Sequence, residues 1–412
     1  MRAQQQLRSR SQKVQPLWKI HETSGATRTQ RHVVAAVLVL VYVVTGILQP
    51  TLVDWIKYNG AAGMVSPPAL LTLLSNTVGM ALGGPAASAV YRMFGRQSLP
   101  DESKHDEAST FGCHHILCRR VVVSACLDIV SSALIMVGLL SVGSGVFVVI
   151  YSSVTAWTAL LSRCVLGTRL RWQQWCGVAL CSVGLMANAY ASATHDVDVA
   201  APRSGDAAAR GMLYLTQTRR SLLVGGACVL VGSVLHSALF VLLEAGSTRS
   251  WLLGPPLSPM ALGWRMGCVE SVVVLAWVAS MFLLYSPEDV LLASLHEHHT
   301  SAWTVTKLYL LLTATNTAHA MSFFAIIKRF GAVGSSVLKG VQAAAVFFIS
   351  TALFCRYQVS QCASAARTVS MLCVVAGALG YSYATAAHDR RKQTPSFTGV
   401  STHAAVVVSG VV

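Results

Sequence analysis

Three charged side chains stand inside segments that are otherwise apolar: Asp128, Glu270 and Lys339. A charge at the centre of a bilayer costs roughly 2.5–3.5 kcal/mol on insertion scales, so each must face a partner, a water-filled path or the membrane edge. Lys339 lies in "GAVGSSVLKGVQAAAVFFISTALF", with Ser335 and Ser336 one turn before it and Gln342 three residues after. That spacing builds a polar face around the ammonium. Two readings follow. The lysine sits about two turns inside its span and can snorkel to water, or it is a fixed cation that meets an anionic substrate, aided by the partial positive charge of its helix N-terminus. Asp128 and Glu270 can pair with it, or bind a proton or a substrate. Arg265 precedes Glu270 by five residues, a poor spacing for one helix face, so Glu270 is expected to find its partner elsewhere.

Hydrogen-bonding residues surround these charges. "LLTATNTAHAMSFF" carries one stripe of Thr313, Asn316, Thr317 and Ala320 and a neighbouring one of Thr315, His319 and Ser322. "YSSVTAWT" carries Tyr151, Ser152, Thr155 and Thr158, and a third segment places Ser75, Asn76 and Thr77 before Gly79 and Gly83. Small residues let helices approach closely, which is the expected use of the two glycines. The long polar stripes exceed what one packing seam needs. The expected lining of a substrate site is Tyr151, Thr155, Asn316, Lys339 and Gln342, with Asp128 and Glu270 as coupling groups or charge partners. Tyr and Trp can stack on a flat ring, and Ser, Thr and Asn can hydrogen-bond a polar solute.

Two clusters invite a metal reading, "CHHILC" at Cys113–Cys118 and "HEHH" at His296–His299. Neither has the paired, separated ligands of a structural zinc site, and both read as loop residues. Cys355 and Cys362 flank a turn and can form a local disulfide in an oxidising lumen. There is no Gly-x-Ser-x-Gly, Walker or His-Glu-x-x-His motif. No catalytic residue, metal or cofactor is expected, and the protein is not expected to be an enzyme.

The elements that hold these residues are apolar helices. Of 412 residues 54% are apolar and only 11% charged, against about 25% charged in soluble proteins. The fold class is all-α, a polytopic membrane protein with about ten spans: Val33–Thr51, Ala69–Val90, Val121–Leu140, Gly145–Val165, Trp172–Tyr190, Ser221–Leu243, Leu262–Tyr285, Thr304–Ile327, Gly334–Phe354 and Thr368–Ala387. The net charge of +15 does not indicate nucleic acid, because the basic residues are dispersed among loops and tails. With both termini in the cytosol, that side holds 22 lysines and arginines and the opposite side eight, as the positive-inside rule requires. The organisation is a basic cytosolic tail (1–32), a first five-helix unit (33–190), a polar luminal or extracellular loop (191–220), a second five-helix unit (221–387) and a cytosolic tail (388–412).

An odd number of helices per half inserts the second half upside down, as in inverted-repeat transporters. An echo between "WTALLSRCVLGTRL" and "AVFFISTALFCRYQ" pairs Ser162 with Ser350 and Leu166 with Phe354.

"YSSVTAWTALLSRCVLGTRLRWQQWCGVALCSVGLMANAY" resembles the fourth-to-fifth-helix region of the drug/metabolite transporter superfamily. "GAVGSSVLKGVQAAAVFFISTALF…VVAGALGYSYAT" resembles the ninth and tenth helices of its nucleotide-sugar transporter and triose-phosphate translocator branch. A lysine early in the ninth helix and a Gly-x-x-x-Tyr-Ser ending (Gly377, Tyr381, Ser382) carry the likeness. The resemblance implies two inverted five-helix repeats, a central cavity, and exchange of a nucleotide-sugar for a nucleoside monophosphate across a Golgi or ER membrane, with the plasma membrane as the alternative and a homodimer as an open expectation. Lys339-Gly340 departs from the Lys-Thr or Lys-Arg pair of that branch, which opens the substrate class beyond the nucleotide-sugars. The competing expectations are a proton-coupled carrier of metabolites, amino acids or drugs using Asp128 or Glu270, and an intramembrane enzyme or receptor.

Overall fold

The computed structural model describes residues 28–63, 68–94, 118–167, 171–199, 205–248, 259–357 and 361–393. Most of the basic tail, Cys113–His115 of the cysteine–histidine cluster and the C-terminal residues from 394 lie outside that set. Every regular element among the described residues is helical. The chain is an all-helical membrane protein. In hydrocarbon each backbone N–H and C=O must be satisfied within its own segment, which the helix alone does without a closed barrel.

The helices are α1 (Arg28–Tyr58), α2 (Leu71–Phe94), α3 (Arg119–Tyr151), α4 (Val154–Leu161), α5 (Trp172–Val199), α6 (Gly205–Thr248), α7 (Pro259–Leu284), the short α8 (Ala293–Glu297), α9 (Ala302–Phe354) and α10 (Ala365–Gln393). Among the described residues six stretches are long and apolar enough to cross a bilayer: Val33–Tyr58, Arg119–Tyr151, Leu222–Ala245, Met260–Leu284, Ala302–Ala332 and Gly334–Phe354. Over the other expected spans the apolar helices are shorter, as at Val154–Leu166 and Ala365–Tyr381, or fall short of that combination within the described residues, as on α2 and α5. The expected polar loop 191–220 is largely helical: α5 runs on to Val199 and α6 starts at Gly205. Its "GDAAARGMLYLTQTRR" is rich in Ala, Arg and Leu, which favour helix even where the segment is too polar to cross lipid.

The side-chain distribution is inverted relative to a water-soluble protein. Val33, Val37, Leu40 and Val44 form an exposed apolar stripe along α1, and Val272, Leu275 and Leu283 do the same on α7. Meanwhile Asp54, Asp128, Glu270, Asn316 and Gln342 are buried. Lipid takes the place of water around the outer stripe, while polar groups must find partners inside.

Two glycines break two of the long helices. Gly143 (φ 78°, ψ 162°) interrupts α3, and Gly331 (φ 74°, ψ 178°) interrupts α9. This backbone region is essentially confined to glycine. Each break frees an N–H at the start of the next limb, and each N–H is met by a carboxylate, buried in the case of Asp54 and half-buried in the case of Glu244. Ser144 N donates to Asp54 Oδ2 of α1 at 2.9 Å, and Ala332 N donates to Glu244 Oε2 of α6 at 2.9 Å.

The packing is reciprocal around these breaks. α3 packs on α6 and α9 on α1, while α2 pairs with α7 and α5 with α10. Gly177 of α5 and Gly377 of α10 cross where no side chain fits: a Cβ on either would fall within 3 Å of the other's carbonyl oxygen. One apolar cluster joins Leu52, Ile56, Leu140, Val149 and Phe347 at the end of the bundle that holds Gly143. A second joins Val121, Leu243, Leu262, Phe324 and Ile327 at the end that holds Gly331. The functional candidates lie between them.

Candidate functional site

A cavity of about 180 Å³ occupies the centre of the bundle. Its walls come from α1, α2, α3, α6, α7 and both limbs of α9. Of the residues expected at a site, Tyr151, Asn316, Lys339, Gln342 and Asp128 line it. Thr155 and Glu270 do not.

Lys339 projects from the second limb of α9 toward the first. Its Nζ lies 3.1 Å from His319 Nε2 and stands over the rings of Tyr42 and Tyr151, 5.2 and 5.8 Å from their centroids. The side chain therefore turns into the bundle rather than along the helix toward the membrane edge. The histidine's tautomer follows from its other neighbour. Thr45 Oγ1 lies 2.7 Å from the carbonyl of Val41 and 3.0 Å from His319 Nδ1. With the Thr45 hydroxyl proton given to that carbonyl, Nδ1–H donates to Thr45, and Nε2 keeps the lone pair that accepts from the ammonium. The His319 ring stacks on Tyr42, centroids 4.7 Å apart and planes 16° apart. Cation–π contacts of this kind soften the desolvation of an ammonium without neutralising it. Among the described residues no carboxylate pairs with Lys339.

The expected help from the helix N-terminus takes a different form. Ala332 begins the limb that carries Lys339, and its N–H is already taken by Glu244. Lys339, about two turns further on, is the group left to face an anion.

Gln342 and Asn316 are held by bonds across helices. Gln342 Nε2 donates to the carbonyl of Tyr42 at 2.7 Å, and Gln49 Nε2 donates to Asn316 Oδ1 at 2.6 Å. The remaining oxygen of Gln342 and the amide nitrogen of Asn316 are the groups able to meet a solute. Tyr151 stacks on Phe147 (5.2 Å) and meets His236 edge-on (5.8 Å). Thr155 is committed elsewhere: its hydroxyl donates to the carbonyl of Ser336 at 2.9 Å and ties α4 to α9.

On the opposite wall Asp128 Oδ1 accepts from Ser132 Oγ at 2.9 Å and lies 3.9 Å from His236 Nδ1. Behind it, Glu270 of α7 is 2% exposed, and its carboxyl neighbours that of Asp128 on α3. Glu270 thus finds its partner on another helix.

Gly79 serves packing, as its type suggested. A Cβ there would meet Asn316 Cβ and the backbone of Thr313. Part of the polar stripe of α9 has the same use, since Thr313 Oγ1 bonds Ser75 Oγ at 2.7 Å. Cys355 and Cys362 form a disulfide, and His298 Nδ1 lies against the Ser294 carbonyl at 2.8 Å.

Sequence reasoning did not select Tyr42, Gln49, His236 or His319 for the site. His236 in "GSVLHSALF" and Gln49 before Pro50 are polar groups in the middle of apolar helices, which is itself a signal. Tyr42 carries no such mark. No protein-family model matches the chain, and no curated protein matches it significantly.

Proposed function

We propose that the protein is a secondary transporter that moves a small anionic metabolite across a membrane by alternating access. We further propose that the metabolite is a nucleotide-sugar exchanged for a nucleoside monophosphate in the Golgi or ER. The reading makes it a carrier rather than an enzyme. The observation that carries it is Lys339: an ammonium in a central cavity, held by a neutral histidine and two aromatic faces, with no carboxylate partner among the described residues. Such a group has its charge available for a phosphate or carboxylate. Tyr42, Tyr151 and the amides of Asn316 and Gln342 supply the stacking and hydrogen-bonding surface that a nucleoside needs.

Two inverted five-helix repeats belong to this proposal. Counting each limb of α3 and α9 separately, with α4 continuing the second limb of α3, gives five long helices before residue 200 and five after 204. Gly143 and Gly331 then stand at matching places, at the same separation as Ser162 and Ser350 in the sequence echo. The reciprocal packing of α3 on α6 and α9 on α1 is what a pseudo-twofold axis produces. In this scheme the limbs carrying Tyr151 and Lys339 rock about the cavity. At about 180 Å³ the cavity is smaller than the roughly 300–1,000 Å³ of drug-sized sites. A nucleotide-sugar requires it to widen as one end opens, whereas a smaller anion fits the present space.

The buried pair of Asp128 and Glu270, with His236 beside it on the cavity wall, favours a second reading, a proton-coupled carrier. Counterflow in proteoliposomes separates the two. Vesicles preloaded with UMP, GMP, CMP or AMP are offered labelled nucleotide-sugars. Exchange that requires one particular monophosphate supports the antiporter. Uptake driven by a pH gradient with no counter-substrate supports the proton-coupled carrier, and neither flux from folded protein removes both.

A further inference from the structure

We propose that Asp54 and Glu244 are a pair of latches, one at each end of the bundle, each holding its own end closed by capping a glycine break. The function given to them rests on the transport reading; their geometry does not.

The two sites share one construction. A glycine in a conformation that other residues avoid stops a helix, and the freed N–H points at a carboxylate from a helix of the other packing pair. The bonds are Ser144 N to Asp54 and Ala332 N to Glu244, both 2.9 Å. The two lie at opposite ends. The second limb of α9 starts at Ala332 and reaches the Asp54 end at Thr351, about 29 Å away at 1.5 Å per residue. Lys339 falls between, about 10 Å from one and about 18 Å from the other.

At its end Asp54 is the hub of a buried polar network that joins α1, the second limb of α3, the second limb of α9 and Gln361. Its Oδ2 also accepts from Gln361 Nε2 at 3.0 Å, and the same nitrogen reaches Tyr58 Oη at 2.8 Å. Thr351 Oγ1 donates to the Gln361 carbonyl at 3.0 Å. Tyr58 closes over the network, stacked on Tyr357 with centroids 4.8 Å apart. Asp54, Ser144 and Gln361 are each at most 1% exposed. Next to Gln361, Cys362 is bridged to Cys355, a bond that fits an oxidising compartment on this side of the membrane.

A latch needs two states that differ in the strength of its bond. Where the closed end shields it from water, a carboxylate bonded to an N–H holds that bond, and breaking it leaves the N–H without its acceptor. Once the end parts, water enters and solvates both, so the bond ceases to hold. Each acid therefore favours closure of its own end and has little hold on the open one. Because the copies sit at opposite ends, weakening one biases the bundle toward one opening, and weakening the other biases it oppositely.

The test uses spin labels in the full chain in nanodiscs, with the unpaired cysteines replaced by serine. One pair sits at Asn59 and Ala366, reporting α1 against α10 at the Asp54 end. The other sits at Arg119 and Lys328, reporting α3 against α9 at the Glu244 end. Asp54→Ala is expected to add a longer-distance population to the first pair only, and Glu244→Ala to the second only. Gln361→Ala, which leaves the helix cap in place, is expected to act like a weaker Asp54→Ala and serves if the acidic variant does not fold. Unchanged distributions in monodisperse variants, or both variants lengthening the same pair, overturn the proposal. Counterflow is measured on the same samples. Latches that respond in a chain without any exchange remove the transport reading and leave the latches standing.

Discussion

Lys339 and His319, twenty residues apart on the two limbs of one broken helix, meet at 3.1 Å between Nζ and Nε2. The break at Gly331 folds one limb back on the other, so a single helical element supplies both the cation and the group that aims it. The hydrogen bond from His319 Nδ1 to Thr45 fixes the ring so that a lone pair, not a proton, faces the ammonium.

Removing the ammonium tests its part in transport. Lys339→Ala should lower counterflow at subsaturating substrate by roughly ten- to a hundredfold, matching the ~1.5–3 kcal/mol of a hydrogen bond to a charged group. The protein should remain folded, because no carboxylate is left stranded by the change. Full counterflow in the variant would detach Lys339 from the substrate.

His319→Ala should act through the lysine. Its loss should be smaller than that of Lys339→Ala, and the double variant should be no worse than Lys339→Ala alone, since the histidine's role disappears with its partner. Additive losses would give His319 a contact of its own.

Gly46 exists to let Gln342 in. A Cβ at Gly46 would collide with the Gln342 amide, which bonds the Tyr42 carbonyl. Because the obstacle is the tip of a flexible side chain, Gly46→Ala should leave the melting temperature within a few degrees while raising the half-saturation concentration severalfold. A large fall in stability with unaltered half-saturation would count against a role for Gln342 in binding.

Gly331→Ala should cost about 1–3 kcal/mol, because a Cβ is strained at that backbone conformation whatever space surrounds it. Gly380→Ala is the control: its Cβ would meet nothing within 4 Å, and it should be neutral or slightly stabilising. Thermal unfolding in one detergent compares them, and equal midpoints would contradict the strained break.

Asp128→Asn distinguishes the two modes of coupling. In an exchanger, counterflow and its response to pH should change little. In a proton-coupled carrier, uptake driven by a pH gradient should disappear while exchange at equal pH survives.

The sequence by itself determined the solvent and the element type. Long apolar runs with few charges can satisfy their backbones in lipid only as helices. It also singled out Lys339, Asp128, Asn316 and Gln342, because a polar group inside an apolar span is costly unless it is used. It did not determine where polarity would end a span but not a helix, as in 191–220, where helix-forming residues carry α5 and α6 onward. Only the tertiary structure decided the partners. Thr45 reaches His319 across 274 positions, Gln342 reaches Tyr42 across 300, and Gln361 reaches Asp54 across 307. It likewise assigned Thr155 to a helix contact and turned Lys339 inward, since the same residue types serve packing, solvation or a site according to what stands opposite. A helical face is legible from local periodicity; what faces it depends on how distant helices cross, which no local pattern encodes.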